Sequence, residues 1–591
     1  MKFLKMFLAA LLAVLVGSII SCFIWLFIFI GIAASSFEGG VAVRPDSILK
    51  IDFAEDIKDS PVANPFQQFD IMTMDVHQSI SLYSALCAID AAKNDDRIVG
   101  IYIRPEGGGN VDITSLEELR SALAEFKAES GKFVVAYGES YGQATYYLAS
   151  VADKVYIQPE GGMEWIGLGF NLSFYKGLMD KLGIGVEVFR PTACKYKSAV
   201  EPYILTKMSD ANRVQMTELA QSMWSTITEA VAESRGIGVD ALNAMADELS
   251  ITLPEEAAAH GLVDGLLYED QMDDVFAEYG VKKGFNDKYN YISLGDYASQ
   301  VHTLQNSKNK IAVLYAEGQI VDGSGSGEEI YGNTLAAQLA DLRNDKSVKA
   351  VVMRVNSPGG SALASDIVWR EMELLKAEKP IIVSMGAYAA SGGYYISAPA
   401  DVIVTDRLTL TGSIGVFGII PTAGKFLNDK LGITFDGVNT NKYSDMGNMT
   451  RPMAPAERAA IMRGVDKVYT TFTGLVAQGR NLPIEKVLDI AGGRVWSGEE
   501  AVEIGLADAN GGLKAAIAVA ADKAAIADDF QITEIVELPE GILGMLSAMN
   551  VRIAEQRLRT ELGDIYRQYA KMRQVLGRSG VQAYCPYEIY F

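Results

Sequence analysis

An internal repeat restricts the fold of this sequence more than any other feature. Three short segments recur at a constant offset of 248 residues: Tyr146-Tyr147 as Tyr394-Tyr395, Ala152-Asp153 as Ala400-Asp401, and Ile166-Gly167 as Ile414-Gly415. The motif DKLGI at 180–184 recurs at 429–433, and EEAAAHGLVD at 255–264 recurs as EEAVEIGLAD at 499–508. A period this long is unlike the short period of a solenoid, so the repeat predicts two tandem domains of one fold.

Strands and helices alternate within each copy. The apolar runs that predict strands are 48–53, 97–104, 132–138 and 154–157 in the first copy, and 311–318, 350–360, 380–388 and 402–405 in the second. Helices are predicted at 115–128 and from Ala144, and again at 367–377 and from Tyr394. This alternation is typical of an α/β fold with crossover helices.

The amino terminus has the pattern of a membrane anchor. Lys2 and Lys5 precede a run from Met6 to Ala34 that is long enough to span a bilayer, and acidic residues follow it. We therefore expect residues 1–36 to form an uncleaved transmembrane helix, with the body outside the inner membrane. A removed signal peptide, with a weak cleavage site near 31–33, is the alternative, and both interpretations export the body.

Charge and composition exclude several classes of function. The formal net charge of -22 and the lack of a basic cluster argue against a nucleic-acid partner. Four scattered cysteines form no CxxC pair, so no zinc site is indicated. The three histidines, His77, His260 and His302, lie in no motif, which argues against a Ser-His-Asp enzyme and against a histidine-ligated metal. His260 aligns with Ile504 in the repeat, which favours a structural role.

The segment PIIVSMGAYAASGG, residues 380–393, supplies the candidate nucleophile. A buried strand is predicted to end just before Ser391, and a helix to begin after it, so the hydroxyl lies near the positive end of a helix. The amide of Gly392 is positioned to donate to a developing oxyanion. Gln143 aligns with Ser391 in the first copy, so only the second copy has the serine.

Without a histidine, the serine needs another base, and a buried lysine with a lowered pKa is the common alternative. The first copy has KYKSAVEP at 195–202 where the second has NKYSDMGN at 441–448. Aligning these segments places Lys197 opposite Ser444. One half therefore supplies the serine and the other half supplies the lysine, unless Lys197 is an ordinary surface residue.

Four motifs together resemble the long, duplicated form of the signal peptide peptidase A family. They are YKSAVEPY at 196–203, RVNSPGG at 354–360, ASGGYYIS at 390–397 and TGSIGV at 411–416. The resemblance covers nearly the whole chain. It implies tandem Clp-protease/crotonase-like domains with an N-terminal transmembrane helix.

The resemblance also implies roles for individual residues. Ser391 is expected to be the nucleophile, Lys197 the general base, and Ser413 a second serine that orients the lysine. The backbone amide of Gly392, with that of Gly359 or Gly360, is expected to form the oxyanion hole. Lys442 remains a rival base, because short members of the family carry the lysine and the serine in one repeat.

The function implied by the resemblance is that of a membrane-anchored serine endopeptidase that degrades cleaved signal peptides through an acyl-enzyme. It implies peptide substrates, a homotetramer, and no metal or organic cofactor. The body is expected on the periplasmic side of a bacterial inner membrane. Two alternatives remain: a catalytically silent membrane scaffold and a crotonase-like acyl-CoA enzyme.

The expected organisation of the chain has five parts. They are the anchor at 1–36, an N-terminal repeat at 48–283 that supplies the lysine, a polar linker at 284–309, a C-terminal repeat at 310–540 that supplies the serine, and a helix and tail at 541–591. The helix carries seven basic residues and is interpreted as solvated and amphipathic. The aromatic tail YCPYEIYF is compatible with docking in an assembly interface.

Overall fold

The computed structural model describes residues 42–53, 55–61, 69–70, 75–76, 79–106, 111–301, 307–536, 581–585 and 587, with isolated positions at 6, 14, 17, 18, 21 and 566. The predicted anchor and the predicted carboxy-terminal helix lie outside these ranges apart from the isolated positions, and so do His77 and His302. Among the residues described, no helix combines the length and the apolar character needed to cross a bilayer.

The first sheet has six parallel strands. In spatial order they are Gly265–Leu266, Lys154–Met163, Phe133–Tyr141, Ile98–Arg104, Ser47–Asp52 and Asn290–Ser293. Apolar side chains are buried on both faces of this sheet, as expected for a parallel sheet covered by crossover helices.

Ten helices of the described residues belong to this half of the chain. They are Leu82–Asn94, Ile113–Ser130, Gln143–Ala149, Lys176–Leu182, Glu201–Ile204, Asp210–Arg235, Val239–Asp247, Pro254–Ala259, Met272–Glu278 and Leu294–Gln300. Helix Ile113–Ser130 begins where the Asp112 carboxylate accepts hydrogen bonds from the amides of Thr114 and Ser115, which satisfies donors that a helix start leaves free. Short 3-10 turns occur at Ser198–Val200, Glu269–Gln271 and Phe285–Asp287.

The second sheet repeats this architecture. In spatial order its strands are Val495–Ser497, Leu410–Gly412, Ile381–Ala390, Val348–Ser357, Lys310–Glu317 and Gln531–Ile535. Strand Val402–Thr405 also pairs with Ile381–Ala390, and Ala509–Asn510 pairs with Val402–Thr405. Only the outer pair, Val495–Ser497 with Leu410–Gly412, is antiparallel within this sheet. In the part of this half that the structure describes, there are eight helices: Gly332–Asn344, Ala362–Lys376, Gly392–Ser397, Gly424–Leu431, Pro455–Gly479, Ile484–Ile490, Gly498–Ile504 and Leu513–Lys523.

The duplicated α/β fold predicted from the sequence is confirmed. Each predicted strand is present, and most bounds agree within a few residues. The helix predicted at 367–377 begins earlier, at Ala362, because the Ser361 hydroxyl caps it by accepting from the amide of Ala364.

The segment expected to be a polar linker, 284–309, contains regular structure. Residues Asn290–Ser293 form a strand parallel to Ser47–Asp52 at the edge of the first sheet, and helix Leu294–Gln300 follows it. Gln531–Ile535 takes the equivalent position beside Lys310–Glu317 in the second sheet. Each half therefore closes its sheet with a strand from its own carboxy-terminal end.

Short strands complete the structure around the two sheets. Asp56–Lys58 pairs with Ser79–Ser81, and Phe69–Asp70 pairs with Asp75–Val76. A small four-stranded sheet has the order Ile330–Tyr331, Ile320–Val321, Gly359–Ser361 and Gln582–Tyr584.

Two contacts join the halves at the motif DKLGI and the strand beside it. Strand Gly185–Phe189 of the first half pairs antiparallel with Gly418–Thr422 of the second. Beside this ribbon, the amide of Phe426 donates to the carbonyl oxygen of Gly183, 3.0 Å away. The ribbon fixes the start of the loop that carries Lys197 against the strand region that follows Ser413.

Candidate active site

Ser391 occupies a sharp turn between a strand and a helix. Strand Ile381–Ala390 ends directly before it, and helix Gly392–Ser397 begins directly after it, which confirms the predicted position. Its backbone has φ 57° and ψ -109°, a conformation that costs energy for a residue with a side chain. The amide of Ser391 donates to the carbonyl oxygen of Gly412 at 2.9 Å, so the neighbouring strand holds the turn in place.

Lys197 reaches Ser391 from the other half of the chain. Its Nζ lies 2.6 Å from the Oγ of Ser391, 2.8 Å from the Oγ of Ser413 and 2.9 Å from the carbonyl oxygen of Ser413. All three residues are buried. The three oxygens match the three hydrogen-bonding directions of an amine nitrogen, so the amine is held in one orientation.

The surroundings of Lys197 favour its neutral form. Burial lowers the pKa of Lys197 from 10.5 to about 8, while the thiols of Cys585 and Cys194 act in the opposite direction. The cause is the removal of the ammonium from water, which penalises the charged form. A substantial fraction of neutral amine is therefore present near physiological pH.

The loop that carries Lys197 packs against two glycines of the second half. The amide of Tyr196 donates to the carbonyl oxygen of Gly492, and the amide of Gly493 donates to that of Ile414. Gly493 has φ +82°, and a Cβ atom added there would lie 2.6 Å from the Cβ of Lys197. Sequence reasoning missed Gly493, because its role depends on a contact with a loop nearly 300 residues away.

The glycines Gly359 and Gly360 lie beside Ser391 at the start of a short strand. A Cβ atom added at Gly359 would lie 2.5 Å from the backbone nitrogen of Gly392, and one added at Gly360 would lie 1.9 Å from the carbonyl oxygen of Ile320. The Oγ of Ser357 accepts a hydrogen bond from the amide of Gly359 at 3.1 Å. The motif SPGG thus brings a backbone segment into direct contact with the turn at Ser391.

A segment from the end of the chain, residues 581–585 with residue 587, lies in the groove beside these glycines. Its strand Gln582–Tyr584 pairs antiparallel with Gly359–Ser361, and on its other side Gln582 forms an isolated antiparallel bridge with Phe417. The groove thus holds an extended peptide between two backbone segments, in the manner of β-strand addition. The described residues of this tail contact the site of their own chain, and docking of the tail in an assembly interface stays a prediction.

The register of this pairing distinguishes Gly360 from Gly359. The amide of Ala362 donates to the carbonyl oxygen of Val581, and the amide of Cys585 donates to that of Pro358. Hydrogen-bonded pairs alternate in an antiparallel ladder, so the next such pair is Gly360 with Ala583. The Ala583 carbonyl oxygen therefore faces the amide of Gly360, and a Cβ atom added at Gly392 would lie 3.0 Å from it.

In the first half, Gln143 takes the position that is equivalent to Ser391. Gln143 begins the helix that follows strand Phe133–Tyr141. Its Oε1 accepts from the amides of Ile166 and Gly167 at 2.8 Å, and its Nε2 donates to the carbonyl oxygen of Gly167 at 3.0 Å. Since Ile166-Gly167 aligns with Ile414-Gly415, Gln143 binds the segment that in the second half runs beside Ser391.

Two residues singled out from the sequence lie elsewhere. Lys442 is exposed, and its Nζ lies 5.2 Å from the ring centroid of Tyr443. His260 is also exposed, and its ring nitrogen contacts the backbone oxygen of Glu256. The glycines at 107–109, which align with the SPGG motif, lie outside the described residues.

A buried serine on a strained turn, a buried amine beside it and adjacent backbone amides are the elements of a serine peptidase. Comparison with known proteins agrees. The model of peptidase family S49 matches residues 126–282 and 373–527, and the model of Clp protease matches residues 303–411.

Several relatives of this chain carry peptidase names. Protease 4 of Salmonella typhi is 38% identical over 76% of this chain and 72% of its own length. Protease 4 of Haemophilus influenzae is 36% identical over 75% of this chain and 73% of its own length. The chloroplastic serine protease SPPA of Arabidopsis thaliana is 34% identical over 76% of this chain and 66% of its own length. The chain belongs to peptidase family S49 and is a serine peptidase.

Proposed function

We propose that this serine peptidase is a membrane-anchored endopeptidase that degrades cleaved signal peptides with a Ser391/Lys197 dyad. The observation that carries the proposal is the 2.6 Å distance between Lys197 Nζ and Ser391 Oγ, at a buried position where the pKa of the lysine is about 8. A base whose pKa is near neutral pH, within hydrogen-bonding distance of the hydroxyl, is the arrangement that activates a serine.

The dyad acts in two steps. Neutral Lys197 accepts the proton of the Ser391 hydroxyl while Oγ attacks the peptide carbonyl carbon, and the resulting ammonium then donates a proton to the leaving amine. Lys197 next removes a proton from water as the water oxygen attacks the acyl carbonyl carbon, and it returns that proton to the Oγ of Ser391 as the ester bond breaks, which releases the acid product and restores the serine. Ser413 keeps the amine directed at Ser391 throughout, because both its hydroxyl and its carbonyl oxygen contact Nζ.

The oxyanion hole in this proposal consists of the backbone amides of Gly360 and Gly392. The carbonyl oxygen of Ala583 faces the amide of Gly360 in the ladder and lies 3.0 Å from a Cβ atom built at Gly392, which supports this region as the place where the oxygen of a substrate carbonyl would acquire negative charge. Fixed amides in a site that excludes water stabilise such charge strongly. Gly359, the other candidate from the sequence, serves the turn that brings Gly360 into position.

The remaining parts of the proposal concern location and assembly. We propose that residues 1–36 anchor the chain in a bacterial inner membrane with the body on the periplasmic side, where released signal peptides are accessible. The repeats at 48–283 and 310–540, with the segment at 284–309 between them and 541–591 after them, are the units of this body. A homotetramer is the proposed assembly. The apolar run at 6–34 and the lysines before it support the anchor.

The test is cleavage of synthetic signal peptides by the full chain in detergent micelles. We expect the peptides to be cut and folded mature proteins to be left intact, with Ser391→Ala as the inactive control. Degradation of folded proteins at a similar rate would contradict the substrate class. Absence of cleavage by a correctly assembled wild type would favour the scaffold alternative, whereas the assignment to family S49 favours a peptidase over an acyl-CoA enzyme.

The pH dependence of the same reaction reports on Lys197. Below a pKa of about 8 the amine is protonated and unable to accept a proton, so kcat/KM falls about tenfold for each pH unit. Above that pKa kcat/KM reaches a plateau. A profile that rises through pH 6 to 7 instead would indicate a different base.

A glycine substitution tests the packing that positions Lys197. In Gly493→Ala the new methyl group meets the backbone and Cβ of Lys197, so we expect the amine to shift and kcat/KM to fall about a hundredfold. Gly432→Ala is the matched control, since Gly432 has a similar φ of +66° but no heavy atom within 4 Å of the added Cβ. The control carries only the backbone strain, about 1 kcal/mol of stability, and equal loss of activity in both variants would contradict this role for Gly493.

A further inference from the structure

The side chain of Tyr587 is bound in a buried polar pocket. Tyr587 is 4% exposed. Its hydroxyl donates to the Oδ1 of Asn212 at 2.7 Å and accepts from the Nε2 of Gln215 at 2.9 Å. Both the donor and the acceptor capacity of the phenol are thus used by two side chains that are themselves only 1% exposed.

Both pocket residues belong to the helix Asp210–Arg235 of the first half. They are three residues apart and therefore project from one face of that helix. The Nδ2 of Asn212 donates to the Glu201 carboxylate at 3.0 Å, which turns its Oδ1 toward the phenol. The Glu201 carboxylate is held in turn by the hydroxyl and the amide of Ser209.

Gln215 is oriented by backbone groups on two sides. Its Oε1 accepts from the amide of Val495 at 3.3 Å, and its Nε2 donates to the carbonyl oxygen of Tyr196 at 3.0 Å. Tyr196 directly precedes Lys197, so the wall of the pocket and the loop of the dyad share this side chain. Both amides are oriented by contacts that do not involve the tyrosine, which reduces the entropy cost of binding.

We propose that Asn212 and Gln215 form a tyrosine-selective subsite of the peptide groove. The subsite lies on the carboxyl side of the bond presented to Ser391. In the bound segment, Ala583 presents its carbonyl group to the amide of Gly360, and Tyr587 follows four positions later. The subsite therefore accepts the residue four positions after the one whose carbonyl group lies beside Gly360 and Gly392. The ligand class is an extended peptide with a small residue at the first of these positions and a tyrosine at the second.

The discrimination arises from buried hydrogen bonds. A phenylalanine at this position fills the same space but removes one hydrogen-bond partner from the Oδ1 of Asn212 and one from the Nε2 of Gln215, both of which are buried. The loss of a hydrogen bond between buried groups is costly, and sites built to bind a hydroxyl reject analogues that lack it. The two amides also contact each other at 3.1 Å, so each keeps a hydrogen-bond partner when the phenol is absent. We therefore expect the preference for tyrosine over phenylalanine to be about tenfold.

The test uses labelled peptides with the sequence of residues 579–590, with serine replacing the cysteine in each, and with tyrosine, phenylalanine or leucine at the position of Tyr587. Affinity is measured by fluorescence anisotropy with the full-length Ser391→Ala protein, and kcat/KM with the wild type. We expect the tyrosine peptide to exceed the phenylalanine peptide about tenfold in both measurements, and the leucine peptide to be weaker still. Equal values for the three peptides would overturn the subsite.

Enzyme variants assign the preference to the pocket. In Asn212→Ala the tyrosine-to-phenylalanine ratio should fall to about two or less, whereas Gln221→Ala, an exposed position on the same helix, should keep the wild-type ratio. A ratio unchanged in Asn212→Ala would contradict the assignment. Because the ratio compares two peptides on one protein, a general loss of activity or stability cancels.

The chain's own strand Gln582–Tyr584 and Tyr587 compete with every added peptide for the groove. The affinities are therefore measured again in Tyr587→Leu. We expect all peptides to bind more tightly to this variant, by about the factor that separates tyrosine from leucine. Absence of binding in this variant as well would overturn the proposal. The subsite rests on the proposed peptidase function, but the two fail separately: preserved binding ratios without cleavage would reject the function and retain the subsite.

Discussion

Lys197→Ala lowers kcat/KM for peptide cleavage by about three to four orders of magnitude. The expected size follows from the loss of the general base, which contributes about a hundredfold to ten-thousandfold, together with loss of the proton donor for the leaving amine. The amides of Gly360 and Gly392, which we propose as the oxyanion hole, remain in this variant and are expected to account for the residual rate. The measurement is steady-state cleavage of a fluorogenic apolar peptide by the full chain.

Two further lysine variants make this result specific. Lys442→Ala should retain wild-type activity, because Lys442 is exposed and lies over the ring of Tyr443. Lys197→Arg should be as inactive as Lys197→Ala, since a guanidinium keeps the positive charge but is not deprotonated in proteins. Loss of activity in Lys442→Ala with an active Lys197→Ala would mean that the second half is self-sufficient, and the dyad across the repeat would be wrong.

Much of the fold could be predicted because the signals were local or repeated. Apolar runs such as 380–390 predict buried strands wherever they occur, and the recurrence of the same motifs 248 residues later tests each assignment twice. The turn at Ser391 was also predictable, since a buried strand, a small residue and glycines follow one another directly in the sequence. These features depend on neighbouring residues and need no knowledge of tertiary contacts.

The site could be predicted only in part, because it is assembled from distant segments. Ser391 and Lys197 are 194 residues apart in the chain, and the sequence alone left Lys197 and Lys442 as rivals. The choice between Gly359 and Gly360 depends on the register of a ladder with residues 582–584. No sequence periodicity reports such a register, because the partner strand has only three residues and lies more than 200 residues away.

The tail and the linker illustrate the same limit. The polar composition of 284–309 suggested a connector, but Asn290–Ser293 lies at the edge of a sheet, where one side of a strand remains free and few apolar residues are needed. Tyr587 reads as an aromatic residue of a hydrophobic tail, whereas its hydroxyl is bound by two amides. In both cases tertiary hydrogen bonds outweighed the local composition.

A buried ion cluster between the halves leads to the second large effect. Arg354 is in the strand that leads to Gly359 and Gly360, and its guanidinium is fully buried. It lies 2.8 Å from carboxylate oxygens of Asp59 and Glu118, both from the first half. Burial raises the pKa of both carboxyl groups, and Arg354 acts in the opposite direction.

Arg354→Met should lower the free energy of unfolding by about 3–5 kcal/mol, because it leaves two buried carboxyl groups without their cation. The measurement is urea unfolding of the full chain in detergent, followed by tryptophan fluorescence. Arg97→Met is the matched control: Arg97 also pairs with a carboxylate, that of Asp95, but its side chain is 51% exposed, so the loss should stay within about 1 kcal/mol.

Further substitutions identify the cause of the lower stability of Arg354→Met. If it comes from uncompensated buried charge, adding Asp59→Asn and Glu118→Gln to Arg354→Met should restore a large part of the stability, because the carboxylates that needed the cation are then neutral. If it came only from lost packing of the long side chain, the triple variant would remain as unstable as Arg354→Met, and the electrostatic explanation would be wrong. If the triple variant recovers stability but has low peptidase activity, the ion cluster also sets the position of Gly359 and Gly360 beside Ser391.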